Sequence, residues 1–322
     1  MSDRRIYVWR TAQLEPTSRE SDKPKKKAAD SLLPGVQITT FKSWEEVGYW
    51  FGSLAKGQVV VTPLIRAKAD ELTKGLLTAA ERKLAIYKFV STGFRYVSIS
   101  FGVGRYQPHT AEEVLDNQYG DCKDKHTLFA ALLKAVGIEA WPGLIGSGLK
   151  LDEAVPSPAQ FDHVITVIPQ GKVYEWLDTT PEIAPYGLLV ATLRDKDALI
   201  IPNEGVPGLV KTSAAPPFSS SQIVDVRATL SEGGTLTGHF DITTRGDTEL
   251  ILRTAFRQVP AAQWRDLVQA MVNSMGFAGK VSAIDADSPT NLDKPFHYSY
   301  DYKRPNYSDW ETIALPHPFI RS

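Results

Sequence analysis

The sequence predicts an α+β fold followed by a second, β-rich part, and three observations carry that expectation. From Val36 to Gly137 apolar residues recur at helical spacing behind repeated capping signals. From Ile138 the period becomes that of strands, with a turn signal at Gln170-Gly171. Beyond the Ser/Pro-rich stretch 211–221, alternating runs meet about Gly233-Gly234 as a hairpin. Helices followed by antiparallel strands argue for segregated α and β layers.

Each element has a local reason. Ser43 with Glu46 and Thr78 with Glu81 are capping boxes, the second ahead of Leu84, Ile86, Tyr87, Phe89 and Val90. Thr62-Pro63 is a helix start, because proline at the first helical position loses no hydrogen bond. Gly93 ends the third helix, and Phe94 to Ser100 alternates like a strand. Thr110 with Glu113 opens a short helical turn, and a longer helix follows Cys122. On that helix Leu128, Phe129, Leu132, Leu133 and Val136 form one apolar face, and Gly137 stops it. Strands are expected over 138–145, 163–168 and 173–178, with the first domain ending near Pro202. Strands 223–230 and 235–244, a helix over 261–275 and a tyrosine face at Tyr298, Tyr300 and Tyr302 complete the second part.

Composition excludes more than it identifies. The chain has 322 residues, enough for about two domains. Its net charge of −1 gives no global attraction to nucleic acid or to an acidic membrane. No apolar run approaches the ~20 residues that span a bilayer. MSDRRIYVWRTAQL lacks the apolar centre of a signal peptide. Residues 17–30, with Lys25, Lys26 and Lys27, read as a solvated linker, a basic patch being the sharper alternative. Arg4 to Arg10 resembles a strand without a nearby partner.

Cys122 is the single cysteine, so it has no disulfide partner within the chain. A lone cysteine is most often a small buried hydrophobe. Its company, Tyr119-Gly120-Asp121 before and Lys123-Asp124-Lys125-His126 after, reads instead as an exposed, charged setting. Asp121 is near the cap, and the unpaired N–H groups and dipole of a helix start favour an anion on the first turn.

A base is needed, and the chain holds His109, His126, His163, His239, His297 and His317. His126 is one turn from Cys122, on what reads as a solvated face. His163 stands out because of its hairpin, FDHVITVIPQGKVYEWLDTT. A turn at Gln170-Gly171 sets His163 opposite Asp178, Ile165 opposite Trp176 and Val167 opposite Tyr174. A carboxylate there can hold the imidazole by one nitrogen and leave the other for a proton. The alternative is an ordinary cross-strand polar pair, and a one-residue slip in register would separate the two side chains.

These segments together resemble the transglutaminase-like superfamily: YGDCKDKHTLFAALLKAVGIEAW as its cysteine helix, FDHVITVI as its histidine strand and YEWLDTT as its aspartate strand. The GDCKDK form after RYVSISFGVGRYQPH is similar to bacterial proteins whose transglutaminase-like domain is flanked by β-rich domains of unknown function. The resemblance implies a papain-like core, the cysteine helix packed on an antiparallel sheet, over 36–205. Residues 1–35 would be the end of a preceding β-rich domain plus a linker, and 206–322 an incomplete β-rich C-terminal domain. It implies Cys122 as nucleophile, His163 as base and Asp178 as orienter, attacking amide bonds of a protein or peptide through a thioester, with hydrolysis or transamidation to follow. Gln107 is the analogous candidate for an oxyanion donor beside the Cys122 N–H. Related proteins carry export signals upstream, which would place this chain in the periplasm or outside the cell.

Two rivals stand. Asp121, Cys122, Asp124 and His126 are all metal-ligand types, but their spacing points them around a helix. A binding or scaffold module that retains the triad without turnover is the second. No nucleotide or metal motif implies a cofactor, FGVG at 101–104 being too short for a phosphate loop. Oligomeric state is not legible.

Overall fold

The structure, a computed structural model, describes Val8, Arg10 and residues 37–98, 102–148, 150–171 and 173–308. The expectations for the linker at 17–30 and for His317 lie outside the described residues. Three helices come first: α1 (Trp44–Ala55), α2 (Pro63–Thr73) and α3 (Ala79–Gly93). Ser43, Thr62 and Thr78 cap them, each accepting a backbone N–H. Thr78 and Glu81 close a full capping box, whereas Glu46 turns its carboxylate to the Lys42 N–H at 2.7 Å.

Next come β1 (Arg95–Tyr96), α4 (Ala111–Asn117), β2 (Tyr119–Gly120) and α5 (Cys122–Ala135). Of the strand expected over 94–100, the described residues 94–98 form only the two-residue β1, which pairs in parallel with β2, and 99–100 lie outside the described residues. Five strands then form one antiparallel sheet: β3 (Trp141–Ile145), β4 (His163–Gln170), β5 (Val173–Leu177), β6 (Asp197–Ile200) and β7 (Gly208–Lys211). Their order is β5-β4-β3-β6-β7. Sequence reading missed β6 and β7, so the sheet runs past 205 and takes in Lys211, the first residue of the Ser/Pro-rich stretch. Both strands are four residues long, too short to show a period.

The helix α5 is the axis of this part, and it is buried nearly all round rather than along one face. Leu128, Phe129, Leu132 and Leu133 pack with Ile65 of α2, Ile86 and Val90 of α3, Val114 of α4 and Ile168 of β4. A helix enclosed by helices on one side and a sheet on the other has no solvent face to keep polar. The opposite face of the sheet is covered by Leu189 and Leu193, against Ile165, Val167 and Trp176.

The C-terminal part is a four-stranded antiparallel sheet, β8 (Ser221–Leu230), β9 (Leu236–Arg245), β10 (Lys280–Ala286) and β11 (Phe296–Arg304), in the order β10-β11-β9-β8. Tyr298, Tyr300 and Tyr302 do share its buried face, packing with Phe240 and with Phe256 and Val268 of two helices. These are α6 (Asp247–Gln258), which sequence reading missed, and α7 (Trp264–Ser274). α6 has no side-chain N-cap and buries Glu249 and Arg253 on its core face, so both usual helix signals fail. The two parts touch: Leu292 belongs to the core around α5, and Arg257 of α6 pairs with Glu182.

Candidate active site

Asp121 fixes the start of α5. Its side chain accepts the N–H groups of Lys123 and Asp124 at 3.1 and 3.2 Å, and the Asp124 carboxylate takes the Asp121 N–H at 3.3 Å. This reciprocal cap puts Cys122 in the first turn, at the positive end of the helix. Gly120 permits the tight approach, since a Cβ there would lie 2.6 Å from the Asp124 Cβ.

The charges around Cys122 are not a solvated mouth. Lys123, Asp124, Lys125 and His126 are all 5% exposed or less. Each is satisfied internally: Lys123 pairs with Asp121, and Asp124 accepts the His109 N–H at 2.9 Å and sits 3.1 Å from the His109 ring. Lys125 donates to the Ser91 and Phe94 carbonyls at 3.1 and 2.8 Å. Burial lowers its pKa to about 8, against the pull of the Glu182 and Asp178 carboxylates. His126 is hydrogen-bonded to Thr166 at 2.8 Å, and burial drives its pKa down to about 3, leaving it neutral. The reading of His126 as solvated is therefore corrected. Cys122 itself is half-buried, packed against the cluster of Phe51, Phe161 and Val164 rather than exposed.

The hairpin register also differs from expectation. Gln170 pairs with Val173, Val167 with Trp176 and Thr166 with Leu177. Gly171, at φ 64, leads the turn instead of following its first position. This moves every pair by two residues, which preserves the face of each side chain. His163 and Asp178 become diagonal neighbours instead of direct opposites, and they still meet, with the ring Nε2–H donating to Asp178 Oδ2 at 2.9 Å.

Asp178 is held from several directions. Its other oxygen accepts the Thr180 N–H at 2.9 Å and the Thr180 hydroxyl at 2.8 Å, while its carbonyl accepts the buried Tyr87 hydroxyl at 3.0 Å. Burial opposes its charge, but the His163 and Thr180 contacts prevail and hold it below the usual carboxylate range. His163 also shares its cleft with the Cys122 side chain. Burial disfavours the imidazolium, yet hydrogen bonds and charge from Asp178 and Cys122 outweigh it and raise its pKa to about 10. Nε2 is taken by Asp178, so Nδ1 is the ring nitrogen left to exchange a proton.

Cys122 and His163 open into a cleft of about 320 Å³, walled by Phe51, Tyr96, Arg105, Tyr106 and Phe161. Gln107 is half-buried beside Tyr106 and is not among the lining residues. The residue brought to the thiol's cleft instead is Tyr96. Sequence reading missed it, and the one available signal was its place in RYVS, where alternation alone gives no hint of the parallel pairing with Tyr119-Gly120.

Comparison with known proteins places the cysteine helix in a family. Residues 66–142 match the model of the transglutaminase-like superfamily, a span that includes Cys122 and stops short of His163 and Asp178. No curated protein matches the chain. Among solved structures, a protein from Cytophaga hutchinsonii provisionally described as a cysteine protease is 20% identical over 41% of each chain, with a TM-score of 0.31. Another, from Parabacteroides distasonis and provisionally described as a protease, is 9% identical, with a TM-score of 0.43 over 82% of this chain and 53% of its own length. Over residues 66–142, then, this chain is similar to the transglutaminase-like superfamily.

Proposed function

We propose that the chain is a thiol-dependent acyl-transfer enzyme acting on amide bonds of proteins or peptides, through Cys122, His163 and Asp178. The observation that carries this reading is His163, bonded to Asp178 by Nε2 and lining one cleft with the only thiol of the chain. His163 takes the Cys122 thiol proton at Nδ1, and the sulfur attacks the amide carbonyl, forming the S–C bond as the C=O π pair moves to oxygen. The Cys122 N–H at the start of α5 is aimed to receive that oxyanion. When the intermediate collapses, the C–N bond breaks, His163 gives its Nδ1 proton to the departing amine, and a thioester remains on Cys122. Water then completes hydrolysis, or a second amine completes transamidation, with His163 as base in either case. We assign the catalytic part to the region through Lys211 and the remainder to a separate β-rich domain.

The test is an acyl adduct. p-Nitrophenyl acetate acylates a competent thiol, and Cys122 is the only one available. The expected result is a stoichiometric burst of nitrophenolate and an acetyl thioester on Cys122, at least a hundredfold slower in His163→Ala. Equal rates in both proteins would favour the rival reading of a binding module.

A further inference from the structure

We propose that Tyr96 is the second oxyanion donor of this site and that Glu182, gripped by Arg257 of the C-terminal part, is its positioning residue. The inference rests on the acyl-transfer reading above and assigns a role that reading leaves open. The Tyr96 side chain lines one cleft with Cys122 and His163, which places the phenol beside the reacting atom. Partial burial and the neighbouring Cys122 and Asp121 push its pKa up to about 12, so the phenol keeps its proton as a donor at neutral pH.

The backbone of Tyr96 is pinned from three sides. Tyr96 pairs with Gly120, two residues before the thiol, and the Val97 N–H bonds the Gly120 carbonyl at 3.1 Å. Lys125, one turn along α5 from Cys122, holds the Phe94 carbonyl just upstream. The Tyr96 N–H itself donates to Glu182 Oε1 at 3.1 Å. Glu182 stands at φ 61, a left-handed conformation uncommon for a non-glycine residue, and its other oxygen receives the Arg257 guanidinium. Glu182 also follows closely on Asp178 in the chain. One carboxylate therefore ties the aspartate strand, the phenol-bearing strand and the C-terminal helix α6 to a common point.

In the resting site the phenol and the sulfur share the cleft. When sulfur bonds the acyl carbon, its negative charge passes to the carbonyl oxygen, and the phenol O–H can turn to that oxygen beside the Cys122 N–H. A donor used this way strengthens in the tetrahedral intermediate, which is the requirement for catalysis over mere binding.

Two probes separate this role from a general effect on the thiol. p-Nitrophenyl acetate acylates Cys122 through a tetrahedral oxyanion, whereas iodoacetamide alkylates it by direct displacement with no oxyanion. Both rates are measured on the full chain, and their ratio is compared between variants. Tyr96→Phe is expected to lower the acylation-to-alkylation ratio tenfold or more. Glu182→Ala is expected to lower it several-fold, and Glu182→Gln, which keeps a carbonyl acceptor for the Tyr96 N–H, to restore it. An unchanged ratio in Tyr96→Phe overturns the assignment, as does an equal fall of both rates, which would make the phenol a support for the thiol alone. The acyl-transfer reading is judged separately, by the His163→Ala rates, so it can stand while Tyr96 fails.

Discussion

The first turns of α5 and α6 both bury charged side chains, and they do so to opposite effect. On α6, Glu249 and Arg253 are fully buried, and Arg253 spends its donors on Glu249 and on the carbonyls of Pro289 and Lys294 at 3.0 and 2.7 Å. On α5, Asp121, Lys123, Asp124 and Lys125 are equally enclosed, yet the residue they surround, Cys122, faces a cleft with an imidazole against it. A saturated cluster fixes a loop and has nothing left to react. An almost saturated one holds a single reactive atom still, which is what chemistry on that atom requires.

That contrast can be broken from either side. The largest effect is expected on activity at α5: His163→Ala slows iodoacetamide labelling of Cys122 at pH 7 by about a hundredfold, while its thermal transition stays close to that of the parent. The largest effect on stability is expected at α6. Arg253→Met leaves the buried Glu249 with only the Arg245 guanidinium at 3.2 Å and costs about 3 kcal/mol in a denaturant titration, with the labelling rate of the folded fraction unchanged. If Arg253→Met also abolished labelling, the division between a structural and a reactive cluster would fail.

Smaller effects sharpen the comparison. His126 has a folded pKa of about 3 against an ordinary 6.5, so its contribution to stability is full above pH 6.5 and is lost as pH falls toward 3. Unfolding titrations of His126→Gln should show a flatter pH dependence over that window than the parent, and parallel curves would contradict its buried, neutral state. Gly120→Ala forces a methyl group onto Asp124 and is expected to cost about 1–3 kcal/mol, lowering labelling through a displaced cap. Thr180→Val removes one hydroxyl from Asp178 and should cost about 1 kcal/mol, with a modest fall in labelling.

How much of this was legible in sequence follows the range of the signal. The caps at Thr62, Thr78 and Thr110, the α5 start at Asp121 and the stop at Gly137 are contacts within a few residues, and each is where the pattern put it. The meeting of His163 with Asp178 survived a turn placed one residue early, because a pairing shift of two leaves side chains on their original faces. The burial of Lys123, Asp124, Lys125 and His126 was not legible. Lys123 turns back on Asp121, but the partners of the other three, Ser91, Phe94, His109 and Thr166, lie 15 to 40 residues away, and charge in a sequence carries no mark of being satisfied. Tyr96 was hidden for the same reason: its role comes from a two-residue parallel pairing that no periodicity announces.

The unit of thiol, imidazole and carboxylate is the centre of the account, and His163 reports on it. An NMR titration of the histidine ring resonances, assigned by His163→Gln, measures it directly. The expected result is a His163 ring that keeps its proton to about pH 10, falling well toward 6.5 in Asp178→Asn and in Cys122→Ser. A ring that titrates near 6.5 in the unaltered protein, or is unmoved by either substitution, would contradict it.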